Sequence, residues 1–132
     1  ALYTALASSP DSSEVHFLLA KHQKEVLAGA IITISGQMAT YLFGASSNQN
    51  RNMMAPYAVQ WTGIRLAREK GCLIYDMGAV APYANPEHPF FGMHRFKTGF
   101  GGNIIHRGGT WDYPLINEEY LEFRNAEMLG KV

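Results

Sequence analysis

Between residues 15 and 46 the apolar positions come in three short runs with polar residues cut between them. VHFLLAKH (15–22) and VLAGAIITI (26–34) are separated by QKE, and SGQ separates the second from ATYLFGAS (39–46). Runs of this length, rich in β-branched and aromatic residues and joined so tightly, predict an antiparallel meander. From Met54 the period lengthens. Pro56 suits a first helical turn, Tyr57, Trp61 and Ile64 recur at helical spacing, RLAREK gathers cations at the end, and Gly71 supplies the stop. CLIYDMGAV (72–80) then reads as a buried strand, and APYANPEHP (81–89), with three prolines, as a loop.

FFGMHRFKTGFGG (90–102) predicts a helix with Pro89 near its start, followed by a glycine-rich exit. At about 100° per residue, Phe90, Met93, Phe96 and Phe100 share one face and Arg95 lies opposite. Two short extended pieces are expected in NIIHRGGTWDYPL (103–115), broken at Gly108 and Gly109. NEEYLEFRNAEML (117–129) closes the order as a helix capped by Asn117 with acids in its first turn. Ahead of the strands, ALYTALA reads as the tail of a helix and SSPDSS (8–13) as a polar loop. With Ala1 at its head, the chain reads as a piece of a longer protein.

A meander followed by a helix and a parallel strand makes a mixed α/β sheet flanked by helices. Its order matches the middle and end of the GCN5-related N-acetyltransferase fold without the first strand. A length of 132 residues suits one domain, and 47% hydrophobic against 17% charged residues is a globular composition. Eleven basic and eleven acidic residues cancel, which argues against a broad basic face coating nucleic acid or membrane but leaves room for a local phosphate contact. The lone Cys72 excludes an internal disulfide framework and fits a reducing compartment. The longest apolar run is about half a membrane span.

The histidines, His16, His22, His88, His94 and His106, show no metal-ligand spacing, so no metal is expected and they read as surface or half-buried polar groups. Cys72 reads as a core thiol. GFGG (99–102) follows a helix instead of opening one, so it is not a phosphate loop. Gly99 suits a left-handed helix stop, and Gly101 and Gly102 beyond it suggest close approach by a ligand or another backbone. Asp76, near the end of its strand, either works as a base or orients an amine, or simply caps a neighbouring loop.

Lys97 is the odd residue. It falls about 45° from the centre of the apolar stripe, where an unpaired ammonium costs several kcal/mol. Either it snorkels to water, or its partner is an anion that arrives with a substrate.

The stretches 41–80, GMHRFKTGFGG (92–102) and GTWDYPL (109–115) resemble the Fem family (FemABX type) of aminoacyl-tRNA-dependent peptidyltransferases, over roughly residues 15–125. These enzymes add amino acids to the side chain of a peptidoglycan precursor. The resemblance implies that the chain is one acyltransferase-like domain, 1–132, the C-terminal piece of a two-domain protein. Phe96–Lys97 matches the family's Phe-Lys motif, whose lysine is implicated in holding the aminoacyl-tRNA acceptor end. It implies a catalytic Lys97 with Phe96 and Tyr41 as substrate-binding residues. Asp76, Gly99, Gly101 and Gly102 are candidate substrate-binding residues by their place in the sequence.

Implied partners are the aminoacyl-tRNA acceptor end, a nucleotide- or lipid-linked precursor and an N-terminal domain of the same chain. The expected location is the cytoplasm, peripheral at the inner membrane face. No cofactor is implied, and SSNQNRNMMAPY (46–57) lacks the glycine turn that would hold the pyrophosphate of acetyl-CoA. An acyl-CoA N-acyltransferase and a non-catalytic half-domain are the alternatives.

Overall fold

The computed structural model describes residues 13–81, 83–109 and 111–130. They fall into two compact units divided between Gly101 and Gly102. The helix tail expected before residue 8 and most of the loop after it lie outside the described residues.

The first unit is built on four strands, β1 (Glu14–His22), β2 (Glu25–Ser35), β3 (Met38–Ser46) and β4 (Ile74–Asp76), in the order β1-β2-β3-β4. The first two pairings are antiparallel and β3–β4 is parallel, so the predicted meander and mixed sheet are both present. On β2, Ala28, Ala30, Ile32 and Ile34 alternate into the core, and Ile32 is completely buried. The register slips between Ile31 and Ile32 against β3, and beyond that bulge Tyr41 stands opposite Ile32.

β4 is shorter than the nine-residue buried strand expected from CLIYDMGAV. Among the described residues it pairs only with β3, at the sheet edge, and Leu73 and Ile74 are exposed. An edge strand has one neighbour and here one covered face, so an apolar run does not guarantee burial. Tyr75 is its inward residue and packs with Cys72 against Ile32, Ile34, Ala39 and Ala67.

Helix α1 (Ala55–Glu69) lies across β1, β2 and β3. Its buried face is not the expected Tyr57–Trp61–Ile64 stripe. Ala55, Val59, Gly63 and Ala67, each four residues apart, face the sheet, and Trp61 is 58% exposed. Small residues win this face because the helix sits close: a Cβ on Gly63 would press on the Ile32 side chain and lie 2.7 Å from the Tyr75 hydroxyl. Helix α2 (Phe91–Thr98) follows the 83–90 loop and buries His94 and Lys97, while Phe90 and Met93 stay exposed.

The second unit holds helix α3 (Asn117–Met128), with Glu118 and Glu119 in its first turn. Ile116, not Asn117, takes the capping position, and no side-chain capping bond forms. The two extended pieces expected over 103–115 are not sheet strands among the described residues. That segment is tied locally instead, the Trp111 indole donating to the Gly108 carbonyl at 3.2 Å and the Tyr120 hydroxyl to the Asp112 carboxylate at 3.0 Å.

Candidate functional site

Lys97 is 9% exposed, so it does not snorkel. Its ammonium donates to the Ala79 carbonyl at 2.8 Å and stands 5.6 Å from the centre of the Tyr41 ring. Its partners are thus not limited to an anion that arrives with a substrate: backbone, ring face and the nearby Asp76 charge already accompany it. Burial pushes the Lys97 pKa below the ordinary lysine value, and the Asp76 charge pulls partly back.

One turn earlier on the same helix, the buried His94 shares its Nδ1 proton with the Ala81 carbonyl at 2.9 Å. A carbonyl only accepts, so Nδ1 carries the hydrogen. His94 is thus no surface histidine. It and Lys97 grip two alternate carbonyls of the segment leaving β4, and this polar face of α2 is the one turned inward.

The aromatic face of α2 goes elsewhere. Phe96 meets the Tyr57 ring edge-on at 4.8 Å, and Phe100 stacks on Tyr57 at 5.5 Å. Phe96 and Tyr57 form part of the wall of an open cavity of about 440 Å3, lined also by the 46–54 segment, the first turns of α1, and β2 and β3. Tyr41 belongs to both places: it lines this cavity and shows its ring to Lys97. A Cβ on Gly44 would collide with the Tyr41 hydroxyl, so the absence of a side chain there makes room for the ring.

Behind Tyr41 is a residue that the periodicity did not single out. Gln60, 2% exposed, accepts the Tyr75 hydroxyl at 2.9 Å on Oε1 and shares the cavity wall with Tyr41. Burial raises the pKa of both phenols; Gln60 opposes the shift at Tyr41, and the charge of Tyr41 adds to it at Tyr75. Gln60 lies one position from Val59 and three from Gly63, so taking the small residues as the buried face would have found it.

Asp76 ends β4, and its Oδ1 accepts the Gly78 N–H at 2.7 Å, the loop-capping arrangement. Gly99 has φ −63°, a right-handed helical value, so it is not the left-handed stop that its type suggested. Gly101 and Gly102 do take positive φ, 79° and 97°, and a Cβ on either would meet nothing within 4 Å. Backbone conformation explains these two glycines, and no neighbouring backbone crowds them. Gly102 belongs to the second unit.

The segment between β3 and α1 contains a 3₁₀ turn, Arg51–Met53, flanked by left-handed Asn50 and Met54. Pro56 removes one amide donor from the first turn of α1, and no side chain caps that end. Among the described residues no three His, Cys, Asp or Glu side chains are grouped to hold a metal, and no helix is long and apolar enough to cross a membrane.

A mixed sheet carrying a cavity between its strand ends and a helix start, with a buried lysine beside it, is an α/β arrangement of the kind in which ligand sites are commonly found. Residues 7–127 match the FemAB family model, and the chain belongs to the FemAB family. It is 33% identical over 104 residues to a lipid II:glycine glycyltransferase of Staphylococcus haemolyticus, covering 78% of this chain and 25% of that protein. A second, from Staphylococcus aureus strain USA300, is 33% identical over 94 residues, covering 71% of this chain and 22% of that one. A crystal structure of FemX superposes with a TM-score of 0.51 at 33% identity over 55% of this chain and 18% of the other. The chain thus spans about a quarter of the length of the curated relatives it matches.

Proposed function

We propose that this chain is the part of a FemAB-family aminoacyltransferase that receives the acceptor end of an aminoacyl-tRNA, within a protein that adds an amino acid to the peptide of a peptidoglycan precursor. The observation that carries the reading is the 33% identity to lipid II:glycine glycyltransferases over 78% of the chain. Glycine and a lipid-linked precursor are accordingly the first substrates to try. The proposed frame is the acetyltransferase-like fold, with an N-terminal domain of the same polypeptide supplying most of the precursor site, and the protein working in the cytoplasm at the inner membrane face.

In the reaction the precursor amine attacks the ester carbonyl of the aminoacyl-tRNA. A carbon–nitrogen bond forms, the ester carbon–oxygen bond breaks, the ribose oxygen departs with the electron pair and the amine gives up a proton that this oxygen ends by carrying. The ester is already activated, so positioning and charge stabilisation are the main needs. Lys97 supplies a fixed positive charge for the terminal phosphate or the departing oxygen, held by Ala79 so that it need not reorganise as charge develops. The nearby Asp76 charge favours the charged form of Lys97.

Phe96, braced by Tyr57, offers a face for the terminal adenine, a contact worth about 1–3 kcal/mol. Tyr41 touches the precursor or the ester from the cavity wall, and Gly99, Gly101 and Gly102 shape the exit from α2. The glycine-free 46–54 turn and Pro56 speak against a pyrophosphate cradle for acyl-CoA.

The test is transfer of labelled glycine from glycyl-tRNA to lipid II by the full-length protein. Transfer that needs charged tRNA supports the reading. Absence of transfer from every aminoacyl-tRNA, together with thermal stabilisation by acetyl-CoA, would replace it with the acyl-CoA alternative.

A further inference from the structure

Tyr75, Gln60 and Tyr41 form a polar line through an otherwise apolar region, and its direction has a chemical consequence. The Tyr75 hydroxyl donates to Gln60 Oε1 at 2.9 Å. A primary amide has one oxygen and one NH2 group; with the oxygen already accepting from Tyr75, the NH2 is the half of the group that still has hydrogens to give to a second neighbour. That neighbour is Tyr41, which with Gln60 lines the cavity. Among the described residues no buried side-chain nitrogen or oxygen is left without a partner.

The fit of the line is specific at both ends. Gly63 makes room for the Tyr75 hydroxyl and Gly44 for that of Tyr41. Gln60 is 2% exposed, so little of it is left for water to reach in place of either phenol. The Lys97 ammonium over the Tyr41 ring withdraws electron density and makes its O–H a better donor.

We infer that Gln60 is a positioning residue: by donating its amide N–H to the Tyr41 oxygen, with its own carbonyl anchored by Tyr75, it turns the Tyr41 O–H toward the cavity as a donor to a carbonyl oxygen of the bound substrate. Tyr41 then serves the carbonyl side of the reaction, and Lys97 the phosphate or leaving-oxygen side. This rests on the aminoacyl-transfer reading only for the identity of the carbonyl. The hydrogen-bond direction does not depend on that reading and is tested separately.

Two variants of the full-length protein test it. Gln60→Met keeps the bulk and removes the amide. With the tyrosines labelled at Cζ and Tyr41→Phe used to assign the signal, the Tyr41 titration followed by carbon NMR should move to higher pH in Gln60→Met, because an N–H donor to the phenolate is gone. A midpoint that stays or falls overturns the proposal, whether or not the protein transfers glycine.

Gln60→Glu is the second arm, read in the transfer assay. An ionised carboxylate only accepts, so it draws the Tyr41 proton away from the cavity while keeping Tyr75. The rate constant kcat should fall by about tenfold or more, the loss of one transition-state hydrogen bond. In a Tyr41→Phe background the same change should have no further effect. Undiminished transfer by Gln60→Glu, or an independent loss in the Tyr41→Phe background, overturns the proposal. If the wild type transfers nothing, the functional reading fails and the titration alone decides this one.

Discussion

Lys97→Met separates what the lysine does for the fold from what it does for a substrate. Methionine keeps the unbranched stem and removes the charge. On the losing side are a hydrogen bond from a charged donor, worth about 1.5–3 kcal/mol, and a ring contact of about 0.5–2 kcal/mol. On the gaining side is relief from desolvation, several kcal/mol per ion. The lowered Lys97 pKa says that desolvation outweighs its compensation. Ala79 is exposed, so water can take over its carbonyl.

Stability in urea should therefore change by no more than about 1.5 kcal/mol, the range of a volume-conserving swap. Glycyl transfer by the full-length protein should fall by about 100- to 1,000-fold, as when one preorganised charge-stabilising donor is lost. The pH dependence supplies a second signature. Up to 10.5 the unfolded lysine holds its proton, whereas the folded one releases it at lower pH. The unfolded state then binds more protons, so wild-type stability gains on the Met variant as pH rises through the window just below 10.5. Transfer within about twofold of wild type, on the kinetic scale just used, would refute the catalytic role. A variant that unfolds outright would refute the energetic balance.

Gly63→Ala should destabilise by about 1–3 kcal/mol in urea titration, although alanine is the better helix former, because the methyl displaces the hydroxyl that Tyr75 gives to Gln60. Tyr75→Phe should cost about 1–3 kcal/mol at neutral pH by leaving the Gln60 oxygen unpaired. It should also flatten the alkaline limb: burial raises the folded Tyr75 pKa, so its contribution is intact below pH 10.0, the ordinary tyrosine value, and is lost above it. Urea titrations at stepped alkaline pH read both effects. Gly101→Ala, at φ 79°, should lower stability by about 1–2 kcal/mol in thermal melts, with Gly99→Ala, at φ −63°, as the control without that backbone strain.

The meander was legible because each strand alternates against one covered face and its turns are short, so period and punctuation coincide. Helix α1 was legible as a helix but not in its orientation. Large apolar side chains mark the inward face when the helix stands off its sheet. Here Gly63 and Ala67 bring it too close for them, and Trp61 is turned out. The same error hid Gln60, which reads as polar surface until the small residues are recognised as the seam. β4 was overestimated because an edge strand exposes what its composition says it should bury. Lys97 and Tyr41 could be named from their motif. That Ala79 and Asp76 already compensate the lysine could not, because those residues are brought to it only by the return of the chain after β4.

The two faces of α2 fit the ligand role proposed for this helix. A side chain such as phenylalanine gains about 1.5–3 kcal/mol on full burial. Turning Phe90 and Met93 inward would collect that energy, yet Phe90 is 64% and Met93 46% exposed, and the inward positions go to His94 and Lys97. Two polar groups in a packed interface are tolerable only with partners, and the carbonyls of Ala79 and Ala81 meet that need. The aromatic side is left with Tyr57 at the cavity wall, where a flat substrate group could complete the stack. The rotation observed places a cation behind the wall and aromatic faces on it, the combination that a phosphate followed by a nucleobase would use.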